Sequence, residues 1–241
     1  MRPIDRGPSP FTTDFDDYRK AFPDLVSRLG PYCSFCERRI PTNLAVEHIQ
    51  PKALPAYAKL IGRWDNFLLA CVNCNSTKGD RDVVLAEHIL PDRDNSAAAF
   101  LYRDDGAVVR HPGRTPKVQG LAQKTLALCG LDKSPKNETD ANGLLVATDR
   151  YRQRQEAWEV ALWARDQWTG QPTATVGALV VELAVKTGYF SVWMAVFEGE
   201  AEMRRAFIAG FPGTAADCFD TDAELVTPRP KPPGLKAGGK C

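Results

Sequence analysis

Apolar and polar positions at the start of the chain follow a helical period. Apolar side chains recur at helical spacing across residues 15–29, and Pro23 lies among them, which predicts two short helical segments rather than one. Gly30 and Pro31 then interrupt the pattern. We therefore expect an N-terminal helical arm at residues 1–30.

Residues 31–82 instead combine short apolar runs with turn residues. The runs at residues 44–46 and 67–70 have the length of strands, and a polar stretch with one proline lies between them. A polar helix start follows at Asn75. The simplest structure for this pattern is strand, loop, strand and helix.

Residues 83–140 predict a connector with a hairpin and a helix. The turn sequence at residues 104–106, Asp-Asp-Gly, lies between two apolar runs, as in a β-hairpin. An apolar helical face over residues 118–129 ends at Gly130.

The last part of the chain changes from a helical to a low-complexity pattern. Helical periods over residues 144–168, 174–187 and 190–209 predict a helical region at 141–219. Residues 220–241 are rich in proline, glycine and lysine and have little apolar surface to bury, so we expect a disordered tail. Short strands together with many helices indicate the α+β fold class.

Charge and composition narrow the range of partners. The 241 residues include 31 Lys and Arg against 30 Asp and Glu, so the global charge favours neither a nucleic acid nor a membrane. No apolar stretch approaches the roughly 20 residues that span a bilayer, and the start of the chain is too polar and too rich in proline for a secretion signal. We expect a cytoplasmic protein without a membrane partner, in which any polyanion site depends on local charge.

Four of the seven cysteines form two CxxC pairs, Cys33 with Cys36 and Cys71 with Cys74. Two such pairs supply four thiolates to a tetrahedral Zn²⁺ site without an open position, so the zinc would be structural. The alternatives are a thioredoxin-like redox pair and four unrelated buried thiols. A redox pair leaves the second CxxC unexplained, and no βαβ pattern surrounds either pair, so we prefer zinc.

Residues with catalytic potential lie between the two pairs and just after them. Glu47 and His48 are adjacent at the end of the first predicted strand, so their side chains diverge and can contact different partners. Asn66 precedes the second run, and Asn75 and Lys78 belong to the predicted helix. If zinc joins the hairpin to this helix, Glu47, His48 and Asn75 converge.

The ordered set CxxC, EHIxP, NFLLxC and CNxxK within residues 33–81 resembles the HNH endonuclease family. The resemblance implies a small ββα-metal core held by the four-cysteine zinc site, with N-terminal helices and a mostly helical C-terminal region around it. It implies that His48 is the general base and that Glu47 and Asn75 bind a catalytic divalent metal. By the same resemblance, Asn66 fixes the loop that holds His48. Two positions depart from the commonest family pattern, since Glu47 replaces an aspartate and Asn75 replaces a second histidine.

Such a site implies hydrolysis of DNA phosphodiester bonds with Mg²⁺ or Mn²⁺. A hard cation takes oxygen ligands and keeps several waters, and Glu47 and Asn75 supply part of that shell. His48, with an ordinary pKa near ~6.5, is suited to accept a proton from water near neutral pH. The motif offers too few carboxylates for a second ion, so we expect a one-metal mechanism. Taken alone, a histidine after a strand is more often a packing residue, and the coincidence of four spaced features favours catalysis.

Lys52, Arg63, Lys78 and Arg81 are the expected nucleic-acid contacts. They belong to a modest local excess of basic residues, which a solvated surface would show equally well. The residues do not distinguish DNA from RNA as the substrate. A further alternative is a catalytically inactive, zinc-stabilised module that binds DNA or protein, although such a module does not need an acid–histidine pair.

The region beyond the core carries a second, weaker resemblance. Residues 91–95, 100–109 and 122–131 resemble segments of the nuclease subunit of Septu-type anti-phage defence systems, which act beside an ATPase. This resemblance implies a defence role, an ATPase subunit as partner, and residues 91–95 at the edge of the DNA cleft. The alternative for residues 91–95 is a turn whose Asp and Asn side chains bond to their own backbone.

Overall fold

The computed structural model describes residues 1–133, 149–230, 232 and 234–241. Within these ranges most regular structure is helical, and the strands form two antiparallel sheets of two strands each. This mixture is the predicted α+β class. Among the described helices, none combines the length and the apolar character needed to cross a bilayer.

The N-terminal arm contains the two helical segments that its period predicts. A 3₁₀ turn at Tyr18–Ala21 leads into helix α1, Phe22–Leu29. Pro23 occupies the first turn of α1, where its missing amide hydrogen has no helical partner to lose. Gly30 ends the helix at φ +73°, and a Cβ atom there would lie only 2.6 Å from the Tyr32 ring. The chain therefore turns sharply from the arm into the first CxxC pair.

A hairpin and one helix form the ββα unit of the fold. Strand β1, Ala45–His48, pairs antiparallel with strand β2, Phe67–Ala70, and the register places His48 opposite Phe67. Helix α2, Val72–Lys78, begins just after β2. The predicted order of strand, loop, strand and helix is confirmed.

The connector also has the predicted hairpin and helix. After the short helix α3, Ser96–Ala99, strands β3 (Phe100–Tyr102) and β4 (Val108–Arg110) pair antiparallel across the Asp-Asp-Gly turn. Helix α4, Pro116–Cys129, follows, and Gly130 ends it in the left-handed conformation.

The C-terminal region differs from the prediction in one helix. Residues 190–209 form two helices rather than one, because the chain turns between them at Gly199, whose φ is +85°. Residues 144–148, predicted to begin a helix, lie outside the described residues. The described helices are α5 (Asp149–Gly170), α6 (Ala174–Thr187), α7 (Phe190–Val196) and α8 (Ala201–Gly210).

One apolar cluster runs through the ββα unit, the arm and the C-terminal helices. Leu25 of α1, Phe67 of β2, Trp193 of α7 and Phe207 of α8 are all fully buried members of it. The ββα unit is therefore packed into a larger core on the side away from solvent.

The structure differs from the expected disordered tail at residues 220–241. The Cys241 carbonyl accepts hydrogen bonds from the backbone amides of Asn95 and Arg229, at 2.9 and 3.0 Å. The Lys240 amide donates to Asp94 Oδ1 at 2.9 Å. Contacts to residues 94–95 therefore hold the described C-terminal end of this segment, where Cys241 is also buried.

Residues 92–95 are almost fully buried, and only Asp92 of them lines a cavity, one of about 650 Å³ that it shares with Arg6. Asp92 is buried between Arg6 and Arg93, with N–O distances of 2.9 and 2.7 Å. Burial alone would raise the pKa of Asp92, but the two guanidinium groups lower it to about 2. Asp94 accepts from the Leu90 amide at 2.9 Å, as the turn alternative expected. These side chains bond mainly to other segments of the protein interior, which favours the turn alternative over a position at the edge of a DNA cleft.

Candidate active site and zinc site

The four CxxC cysteines form one buried cluster. Their sulfur atoms all lie within 4.8 Å of one another, and Cys36 Sγ and Cys71 Sγ are 3.7 Å apart. A tetrahedron with Zn–S bonds of ~2.3 Å has S–S edges of about 3.8 Å, so this spacing fits a Zn²⁺ ion. Four thiolates complete the coordination shell, so Cys33, Cys36, Cys71 and Cys74 fit a structural zinc site with no position left for substrate.

Arg150 of α5 contacts this cluster and was not singled out from the sequence. Its Nη1 donates to Cys74 Sγ at 3.1 Å and to the Cys129 carbonyl at 2.8 Å, and its Nη2 donates to the Gly130 carbonyl at 2.9 Å. Burial lowers the pKa of Arg150, but the thiolates of Cys74, Cys36 and Cys71 raise it more. The guanidinium therefore offsets the negative charge of the cluster and joins it to the end of α4.

Glu37, just after the first CxxC pair, is a second residue that sequence reasoning missed. Its buried carboxylate accepts from the Tyr102 hydroxyl at 2.8 Å, from the Arg2 amide at 2.8 Å, and from the amide and hydroxyl of Ser191, both at 2.7 Å. These donors belong to the arm, to β3 and to α7. Glu37 thus connects the segment after the first CxxC pair to three distant parts of the chain.

A cavity of about 710 Å³ opens beside β1 and α2. It brings together three residues that the sequence predicted to converge, Glu47, His48 and Asn75. The N-terminal arm supplies another part of its wall. The lining residues with polar side chains are Tyr18, Arg19, Glu47, His48, Lys52, Asn75, Lys78 and Asp80.

His48 has a defined tautomer in this cavity. Its Nε2 lies 2.9 Å from the Ile61 carbonyl oxygen, and since a carbonyl only accepts, Nε2 carries the hydrogen. Nδ1 is then the nitrogen with a lone pair. Phe67 packs edge-on against the imidazole, with ring centroids 5.2 Å apart, and Tyr18 does the same at 4.7 Å. The ring is therefore held by two aromatic contacts and one hydrogen bond.

The surroundings of His48 also favour its neutral form. Burial lowers its pKa, the hydrogen bond to Ile61 opposes this, and the nearby charges of Lys52 and Lys78 lower the pKa further. The net shift is downward from the ordinary value.

Asn66 braces the loop that follows His48. Its Oδ1 accepts from the Gln50 amide at 2.9 Å, and its Nδ2 donates to the Gln50 carbonyl at 3.0 Å. The Asn66 carbonyl also accepts from the Ile49 amide at 2.8 Å. The family resemblance implies a loop-fixing role for Asn66, and its effect on His48 stays a prediction.

Glu47 and Lys78 form a buried ion pair at 2.8 Å between Oε1 and Nζ. Lys78 is only 2% exposed, so its ammonium is engaged inside the site. Lys78 lines the cavity with its charge paired to Glu47, so its contact with nucleic acid stays a prediction. Burial raises the pKa of Glu47, although Lys78 opposes the shift.

Asn75 lies one turn before Lys78 on α2, and its partly exposed side chain also lines the cavity. Neither the side-chain amide of Asn75 nor the Oε2 atom of Glu47 has a hydrogen-bond partner within the described part of the chain. The cavity therefore presents two oxygen donors, which are the ligand type that Mg²⁺ and Mn²⁺ take. These residues fit a divalent cation.

The remaining predicted nucleic-acid contacts are spread over different surfaces. Lys52 lines the cavity beside His48. Arg63 lies outside it and contacts Asp14 and Asp65, at 3.5 and 3.3 Å. Arg81 donates to the Ala127 carbonyl of α4 at 3.1 Å. Of the three, only Lys52 lies where it could contact a substrate next to His48.

A four-cysteine cluster that fits zinc, a ββα unit and a histidine in a cavity with oxygen donors thus lie together in one part of the chain. The HNH endonuclease family model matches residues 32–81, the segment predicted as 31–82. HNH domains are usually nucleases, which act on nucleic acid and use divalent metals. The match covers less than half of the chain. The comparison with curated proteins finds no match.

Proposed function

We propose that the protein is a metal-dependent endonuclease that hydrolyses phosphodiester bonds in DNA, with His48 as the general base. The observation that carries this proposal is the convergence of His48 with Glu47 and Asn75 in one cavity. A zinc-stabilised binding module has no need for a histidine and two oxygen donors at the same opening.

His48 is arranged for proton transfer. The Ile61 carbonyl fixes the hydrogen on Nε2, so Nδ1 is the basic atom that accepts a proton from the attacking water. A lowered pKa keeps the imidazole neutral and able to accept that proton. Asn66 limits the movement of the loop that carries the histidine.

Glu47 and Asn75 would hold a single Mg²⁺ or Mn²⁺. When bound, such an ion polarises the scissile phosphate and stabilises negative charge on the leaving oxygen. Lys78 holds Glu47 Oε1 and leaves Oε2 for other contacts. Glu47 is the buried carboxylate of the cavity lining, which supports one ion rather than two.

A test of this proposal compares His48→Ala with His111→Ala, a matched change in a turn outside the cavity. We expect His48→Ala to stay folded and zinc-loaded but to cleave supercoiled plasmid at least about 100-fold more slowly in Mg²⁺ or Mn²⁺, since general-base catalysis contributes that much or more. His111→Ala should cleave like the parent. Omission of the divalent ion should stop cleavage by the parent and by His111→Ala.

Equal cleavage by His48→Ala and the parent would remove His48 from the mechanism. A parent chain that binds DNA but cleaves nothing in either ion would instead support the inactive binding module. The choice of DNA over RNA rests on the family resemblance, since attack on phosphorus does not depend on the 2′ position. Competition between DNA and RNA duplexes of one sequence measures that preference directly.

The defence role and the ATPase partner rest on the sequence resemblance of residues 91–131 alone. Residues 91–95 carry part of this resemblance, and the side chains of residues 92–95 are buried in the protein interior. Co-purification of the chain with an ATPase encoded beside it would test the partnership.

A further inference from the structure

One wall of the His48 cavity comes from outside the matched HNH segment. Tyr18 lies in the 3₁₀ turn before α1, and its ring meets the His48 ring edge-on, with centroids 4.7 Å apart. Lys52, in the loop after β1, donates from Nζ to the Tyr18 hydroxyl oxygen at 2.7 Å. The Lys52 ammonium also lies 4.3 Å from the centroid of the Tyr18 ring. Tyr18 therefore contacts both the proposed base and an exposed cation.

The charges around the cavity distinguish Lys52 from the other basic residues that line it. Arg19 pairs with Asp17 at 2.8 Å, and Lys78 pairs with Glu47 at 2.8 Å. Lys52 has no carboxylate partner among the described residues. Its positive charge is therefore available to an anion that enters this opening.

The Tyr18 hydroxyl adds a second donor at the same place. Its oxygen accepts from Lys52, so its own hydrogen can be donated to another acceptor. An ammonium and a hydroxyl side by side suit the oxygen atoms of a phosphate group. Because the proposed ion on Glu47 and Asn75 takes the scissile phosphate, this pair of donors suits a neighbouring phosphate of the same strand.

We infer that Tyr18 is a positioning residue with two separate contacts. Its hydroxyl and Lys52 bind a backbone phosphate of the nucleic-acid strand next to the scissile phosphate, and its ring keeps the His48 imidazole in the orientation set by Ile61. This inference rests on the proposed nuclease function and assigns part of its substrate site to the N-terminal arm.

The two contacts can be separated by substitution. Tyr18→Phe keeps the ring and removes the hydroxyl, Tyr18→Leu removes both, and Lys52→Gln removes the charge. Lys59→Gln is the matched control, because Lys59 is an exposed lysine outside the cavity. Steady-state cleavage of a DNA duplex then gives kcat and KM for each variant.

We expect Tyr18→Phe and Lys52→Gln to raise KM about three- to tenfold with kcat unchanged, because a phosphate contact made before and during the reaction is lost. Tyr18→Leu should raise KM similarly and also lower kcat about tenfold, because the base is less well oriented. Lys59→Gln should leave both constants at the parental values. A purely structural role of Tyr18 would not separate KM from kcat in this way.

Two further measurements do not depend on cleavage. With a labelled DNA duplex and the His48→Ala background, Lys52→Gln should reduce the slope of log K against log[salt] by about 0.9, the value for one phosphate contact. In long-range ¹H–¹⁵N spectra, the Nε2–H tautomer of His48 should persist in Tyr18→Phe and be lost or averaged in Tyr18→Leu.

The outcomes separate this inference from the proposed function. If the parent cleaves, His48→Ala does not, and the Tyr18 and Lys52 variants match Lys59→Gln, then the inference is overturned while the nuclease function stands. If the parent neither binds nor cleaves nucleic acid, both are overturned.

Discussion

Replacement of Arg150 by methionine should loosen the zinc site and the joint between α4 and α5. The change keeps most of the aliphatic side chain but removes the hydrogen bonds to Cys74 Sγ and to the carbonyls of Cys129 and Gly130. Arg150 is only 4% exposed, so water does not readily replace these donors. Hydrogen bonds from charged groups contribute about 1.5–3 kcal/mol each, so loss of the two carbonyl contacts should cost about 4 kcal/mol of unfolding free energy.

The assay is urea or thermal unfolding, read together with zinc release to a chelating dye. A loss of about 4 kcal/mol lowers Tm by about 10 °C in a protein of this size. Zinc should also dissociate about 10 to 100-fold more readily, the usual effect when a contact to a metal ligand is removed. Arg152→Met is the matched control, because Arg152 is an exposed arginine on the same helix.

The reasoning would be refuted if Arg150→Met and Arg152→Met unfolded at the same temperature and released zinc equally. A lower Tm with unchanged zinc release would show that Arg150 supports only the carbonyls at the end of α4. Lower zinc affinity with unchanged Tm would show that Arg150 supports only the thiolate cluster.

Three further predictions concern separate parts of the chain. Cys71→Ser should give a zinc-free, largely unfolded protein by circular dichroism, because the binding energy of structural zinc is folding energy; a folded, zinc-free and active protein would contradict this. Asn66→Ala should lower kcat for plasmid cleavage about tenfold at full zinc content, because the loop that holds His48 loses two contacts; unchanged kcat would remove Asn66 from the site. The pKa of Asp92 is about 2, below its ordinary value of 3.8, so the ionised carboxylate stabilises the fold above pH ~4. This contribution to the free energy of unfolding, about 2 kcal/mol, is lost as the pH falls toward 2. Urea unfolding between pH 5 and 2 should therefore be less pH-dependent in Asp92→Asn than in the parent, and equal pH dependence would argue against the Arg6 contact as its cause.

Local spacing was sufficient to predict the ββα unit. The CxxC pairs limit which segments can meet, because four thiolates must reach one ion, and the short runs between them fit only a small hairpin. The hairpin at residues 100–110 and the C-terminal end of α4 follow from turn chemistry at Gly106 and Gly130. In each of these cases the decisive residues are close together in the sequence.

The parts that sequence reasoning missed depend on contacts between distant segments. Arg150 and Glu37 are charged residues in positions that a single sequence cannot distinguish from surface ones, and each is buried only because donors or acceptors come from elsewhere. Lys78 looked like a surface cation for the same reason. Its pairing with Glu47 depends on how β1 lies against α2.

The same contacts explain why residues 32–81, which the HNH family model matches, do not contain every residue of the candidate site. Tyr18 precedes residues 32–81 and Arg150 follows them, yet one packs against His48 and the other against Cys74. Removal of the arm would expose one side of the imidazole and release Lys52, while removal of α5 would leave the thiolate cluster without its guanidinium. The four-cysteine cluster lies within the ββα unit, and the flanking helices complete the charge balance and the walls that the proposed chemistry requires.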